Sequence, residues 1–184
     1  MNKIQRVSVF FRVAFQIAFV ALPILLAIAW INAPKPFIAM QGLININFIP
    51  KMYEHSVLHV LSRAELFEGF LVSCLPALVQ LYILYSLINL FKLYERGNIF
   101  SLRHVDYIRN IGYALFIGQL IIAPIHEALI GIVLTIHNPP HHRFFQISLD
   151  QSNIGVLLTG LLVILISWIV AEGCKIHEEQ QLTI

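Results

Sequence analysis

Residues 93–112 read LYERGNIFSLRHVDYIRNIG, a polar interval set between two strongly apolar runs. Gly97 is suited to the left-handed conformation that closes a helix at Arg96, and Ser101 is suited to capping the next, with Phe100 and Val105 as a hydrophobic staple. Past this turn, Leu102, Val105, Ile108 and Gly112 share one helical face, while Arg103, Asp106, Arg109 and Asn110 occupy another. The stretch therefore predicts a helical hairpin whose second arm begins as an amphipathic turn.

The flanks say what surrounds the hairpin. Of the 184 residues, 58% are hydrophobic and only 12% charged, and the mean hydropathy is +0.78. A soluble domain of this size needs a more polar exterior, so the solvent for most of the chain is lipid. Four apolar runs, at about 7–31, 70–91, 112–136 and 154–171, approach the roughly 20 residues that cross about 30 Å of hydrocarbon as a helix. A bilayer offers backbone amides no partner, so these runs are expected as helices. The predicted fold is an all-α integral membrane protein, a single domain built on a four-transmembrane-helix bundle. Its outer loops span 32–69 and 137–153, its hairpin 92–111 and its tail 172–184.

The first run is too long for the core of a secretory signal and lacks a clean cleavage site, so it reads as a retained span. Lys3, Arg6, Arg12, Lys92, Arg96, Arg103, Arg109 and Lys175 fall on one side of a four-span chain, against Lys35, Lys51, Arg63 and Arg143 on the other. The positive-inside rule then places both termini and the hairpin in the cytoplasm. The basic residues flank spans and form no groove, so the net charge of +2 gives no argument for direct nucleic-acid binding. In this topology Cys74 and Cys174 lie at opposite ends of the membrane, and no Cys-x-x-Cys pair is present to run thiol exchange.

Two motifs carry a family resemblance. The pattern Leu-Tyr-x-x-Gly-x-Ile-Phe-Ser, followed by Val-x-x-Ile-Arg-x-Ile-Gly, resembles the cytoplasmic hairpin of a bacterial family of four-helix membrane proteins, catalogued as a domain of unknown function, family twenty-nine seventy-five. The ending EGCKIHEEQQLTI, residues 172–184, is similar to that family's ending. The resemblance implies genomic company with a small helix-turn-helix regulator, and so signalling in the bacterial inner membrane over catalysis.

The outer loops read differently. Residues 43–48, LININF, and 144–149, FFQISL, alternate apolar and polar residues as short strands do. Residues 50–69, PKMYEHSVLHVLSRAELFEG, read as an amphipathic helix with Val57, Ala64 and Phe67 on one face and His55, His59, Ser62 and Arg63 on the other. The expectation is a small extracytoplasmic cap of one helix and a two-stranded β ribbon. His55 and His59 have the four-residue spacing that lets two imidazoles share a metal, and His141 and His142, next to His137 in the other outer loop, complete a candidate metal set. Solvated surface histidines are the plainer reading.

His126 and Glu127 lie inside the third run, after Pro124. At 1.5 Å per residue from Gly112 they sit roughly 20 Å deep, where ionisable groups are costly and face other helices or a water-filled cavity. They form a candidate intramembrane polar pair, with Ser73, Gln80 or Thr159 as neighbouring tethers. Ile130 stands where a zinc protease's His-Glu-x-x-His would need its second histidine.

No catalytic constellation emerges and no cofactor is implied, so a non-enzymatic sensor or regulator is the expected function. The alternatives are a haem- or metal-binding membrane protein, or a small transporter. Arg96, Arg103, Asp106 and Arg109 of the hairpin, with Glu178 and Glu179 of the tail, are the expected docking platform for a cytoplasmic DNA-binding regulator.

Overall fold

The computed structural model describes residues 3–32, 61–97, 102–139 and 151–182. Among them the regular secondary structure is all helical: α1 (Lys3–Asn32), α2 (Arg63–Glu95), α3 (Leu102–Ile117), a π-helical turn (Gly118–Ile122), α4 (Ala123–Thr135) and α5 (Gln151–Leu182). α3, the π turn and α4 follow one another without a break, so among the described residues there are four helices long and apolar enough to cross a membrane. The predicted ribbon strands, and the part of the predicted cap helix that carries His55 and His59, lie outside the described residues.

Each helix outruns the apolar stretch that announced it. α2 begins at Arg63, inside the segment expected to be an outer loop, and α5 carries the helix through the expected tail to Leu182. The predicted cap helix over 50–69 is not continuous. Leu61 and Ser62 are non-helical, and a new helix starts after them.

Proline is accommodated in two ways. α1 and α2 continue through Pro23 and Pro76, whereas Pro124 stands two positions past the end of the π turn. A proline has no N–H for the carbonyl four residues back and its ring crowds that carbonyl; widening the preceding turn relieves both. At the hairpin, Gly97 has φ +79°, and the N–H groups of Arg96 and Gly97 donate to the carbonyls of Leu93 and Tyr94 at 3.1 Å. The predicted glycine stop of α2 is therefore observed. Ser101 and Phe100 lie outside the described residues.

Two compact units divide the chain. The first gathers residues 1–20, 79–120 and 150–184. Within it, α3 packs on α5 at a crossing of two glycines. A methyl carbon on Gly160 would stand 2.9 Å from the Phe116 nitrogen and 3.1 Å from the Gly112 carbonyl oxygen, and one on Gly112 would stand 2.7 Å from Ile164 Cγ1. Lipid tails are as apolar as leucine, so helices in a bilayer gain little from hiding apolar surface from one another; close backbone approach through small residues supplies the attraction instead. Aromatic rings tie the other helices of this unit together. Phe91 of α2 lies 5.3 Å from Phe11 and 5.5 Å from Phe15 of α1, and Tyr94 lies 4.7 Å from the buried His104 of α3, measured between ring centroids.

The second unit comprises residues 21–78 and 121–149. Its core is Leu26, Trp30, Ala77, Ile130 and Leu134, with Leu66 and Phe70 against it. Trp30 lies over Gly69, where a methyl carbon would collide with the indole ring. The indole Nε1–H donates to Ser73 Oγ at 3.1 Å. Only 11–22% of each span's most apolar window is buried by protein, so most of these side chains face outward, as at Phe10, Ile17, Leu158 and Ile169.

Candidate functional site

The most organised polar site lies where α2 begins. The sequence there is Ser-Arg-Ala-Glu, Ser62 to Glu65, which has the spacing of a capping box. The Ser62 N–H donates to Glu65 Oε2 at 2.6 Å, and the Glu65 N–H donates to Ser62 Oγ at 3.3 Å. Two amide groups with no intrahelical partner are thereby satisfied. Glu65 also suits its place electrostatically, because the first turn of a helix carries partial positive charge.

The second oxygen of the same carboxylate reaches another helix end. Glu65 Oε1 lies 2.7 Å from Nδ1 of His137, just past α4. The Glu65 side chain is 4% exposed and that of His137 66%. The imidazole thus covers the carboxylate and takes the solvent-facing side itself. Thr135 and Asn138 on either side of His137 are buried, and the Asn138 N–H donates to the Thr135 carbonyl at 3.0 Å. The arrangement holds a buried carboxylate and an exposed imidazole at hydrogen-bond distance.

A second charged contact sits in the other unit. Arg12 of α1 and Glu95 of α2 lie 3.2 Å apart, both about a third exposed or less. Arg12 stands within the apolar run of α1, whereas Glu95 lies between Lys92 and Arg96 at the end of α2. Their pairing was not visible in the sequence.

The residues singled out in the sequence are placed as follows. His126 and Glu127 lie on α4 and are half-buried, and His126 Nε2 is shielded with no hydrogen-bond partner. Two of the expected tethers are engaged elsewhere: Ser73 accepts from Trp30, and Thr159 Oγ1 donates to the Gly155 carbonyl of its own helix at 2.8 Å. Arg96 and Arg103 are exposed. Asp106 pairs with Arg109 at 2.6 Å within α3, and Glu172 with Lys175 at 3.4 Å within α5. Both are pairs three residues apart along one helix. Glu178 and Glu179 fall on the last turns of α5. The candidate metal ligands His55, His59, His141 and His142 lie outside the described residues, and among the described residues no three His, Cys, Asp or Glu side chains gather as a metal set. Cys74 and Cys174 are free thiols.

Four helices among the described residues, each long and apolar enough to cross a bilayer, mark a multi-pass membrane protein. The chain belongs to the family described as protein of unknown function (DUF2975), whose model matches residues 21–184. No curated protein and no solved structure matches it.

Proposed function

We propose that this protein is a non-enzymatic regulator of the bacterial inner membrane that passes a signal to a soluble partner in the cytoplasm. The observation that carries the reading is the placement of α2. This one continuous helix of 33 residues has a carboxylate contact to a different helix at each end, Glu65 with His137 and Glu95 with Arg12. A helix of that length transmits displacement along its axis, so a change at the Glu65 contact has a mechanical route to the Glu95 contact without any catalytic step. The Lys and Arg distribution supports a cytoplasmic position for the Arg12–Glu95 end and for both termini.

The partner is a helix-turn-helix DNA-binding regulator, received on the hairpin and the end of α5. The supporting feature is their basic and acidic character: exposed Arg96 and Arg103 on one, Glu178 and Glu179 on the other. The test is co-purification of the small helix-turn-helix regulator that the family resemblance leads one to expect beside this protein's gene, with the intact chain, with a variant lacking 176–184, and with Glu65→Gln. The expected result is capture by the intact chain, loss of capture from a shortened protein that still unfolds cooperatively, and an altered bound fraction for Glu65→Gln. Absence of the regulator from the intact protein overturns the reading.

A further inference from the structure

The second unit carries a groove between the end of α1 and the start of α2, independent of the signalling route. It encloses about 320 Å³ and is lined by Ala27, Trp30 and Ile31 of α1 and by Arg63, Leu66, Phe67 and Phe70 of α2. The lining positions follow i, i+3, i+4 on α1 and i, i+3, i+4, i+7 on α2, so each helix contributes one continuous face. From Arg63 to Phe70 the groove descends about 10 Å along α2, at 1.5 Å per residue. Six lining side chains are apolar and the seventh, at the top, is a cation.

That cation is available. Arg63 is exposed, and no carboxylate among the described residues pairs with it: Glu65, two positions on, is committed to Ser62 and His137. The wall below it is fixed. Trp30 is 4% exposed, rests on Gly69 and is anchored through Nε1 to Ser73. The volume falls at the lower end of the range for small-molecule sites, about 300–1,000 Å³. The groove lies where the apolar runs of α1 and α2 end, the level at which tryptophan and arginine meet lipid headgroups.

We infer that this groove holds one acyl chain of an anionic phospholipid, with Arg63 paired to the headgroup phosphate and the chain lying against Trp30, Leu66 and Phe70. A zwitterionic lipid brings the same chain with a compensating cation beside its phosphate. The preference between the two therefore reads out Arg63, and one such charge at a membrane surface corresponds to about fivefold in relative affinity.

Trp30 provides the probe. The chain has two tryptophans, so Trp168→Phe leaves Trp30 as the single indole fluorophore. The protein is reconstituted into vesicles containing increasing fractions of phosphatidylglycerol, or of phosphatidylcholine, brominated on the acyl chains, and quenching of Trp30 is followed. The expected result is half-maximal quenching by phosphatidylglycerol at about one-fifth of the fraction needed with phosphatidylcholine. Arg63→Gln brings the two curves together, and Arg63→Lys restores part of the gap. Ala27→Phe, which fills the groove, weakens quenching by both lipids. Equal curves in the parent protein overturn the inference, as does a gap that survives Arg63→Gln. Absence of quenching by either lipid also overturns it, since the groove is then covered by protein, either another part of this chain or a second copy.

Discussion

Glu65 Oε1 and His137 Nδ1 lie 2.7 Å apart although 72 positions separate the two residues in the chain. One carboxylate therefore serves two purposes: an oxygen that caps its own helix and an oxygen that holds the end of another.

Those purposes separate by mutation. The His137 side chain is 66% exposed, so its removal lets water replace it, and His137→Ala is expected to cost less than about 1 kcal/mol. Glu65→Ala also removes the reciprocal cap and is expected to cost about 2 kcal/mol. Ser62→Ala, which loses one half of the cap, falls between them at about 1 kcal/mol. Thermal unfolding in detergent gives the order. A larger loss for His137→Ala than for Glu65→Ala would make the imidazole contact the dominant one.

At the crossing of α3 and α5, Gly160→Ala must push back the Phe116 backbone, and Gly112→Ala must displace Ile164. Both are expected to destabilise by about 1–3 kcal/mol, the usual cost of forcing an extra carbon into close packing. Gly173→Ala meets nothing within 4 Å and is expected to be neutral or stabilising by up to about 1 kcal/mol, because alanine is the better helix former. A destabilising Gly173→Ala alongside a harmless Gly160→Ala would contradict this packing.

The orientation proposed from the basic residues is checked by single cysteines at positions 41 and 98 in a Cys74→Ser, Cys174→Ser background. An impermeant thiol reagent applied to intact cells is expected to label Gln41→Cys and to spare Asn98→Cys. The opposite pattern places the hairpin outside.

Exchanging the partners at the other end of α2 tests whether Arg12 and Glu95 act as a pair. Arg12→Glu alone sets two carboxylates face to face, and the double variant Arg12→Glu, Glu95→Arg restores opposite charges at the same site. The double variant is expected to recover part of the stability lost by the single one, with a coupling of about 0.5–1 kcal/mol for a pair so partly exposed. Strictly additive losses would show that the two side chains are neighbours without an energetic bond.

How far the chain could be read in advance varies from residue to residue. Gly97 was legible because a helix stop is a local matter of one backbone conformation. Ser62 and Glu65 were equally legible, since a Ser-x-x-Glu spacing ahead of an apolar run announces a helix start. The histidine-bearing face read across 50–69 as one helix obscured it. Face assignments were less secure. Val105 and Gly112 are buried as the periodicity suggested, but Leu102 of the same proposed stripe is exposed and His104 is buried in its place.

The sequence by itself determined that the chain is a membrane protein, that it has four spans and that they are helical. Each of those properties is decided segment by segment, by apolar length and by the need to satisfy every backbone amide without water. Tertiary structure alone decided that Glu65 meets His137, that Arg12 meets Glu95, that Gly112 and Gly160 form the crossing, and that Trp30 and Arg63 share a groove. The reason is physical. In a soluble protein the polar face of a helix tells which side turns inward, but a helix in lipid is apolar on every side, so no stripe marks the partner face. Only the assembled helices show which residues meet.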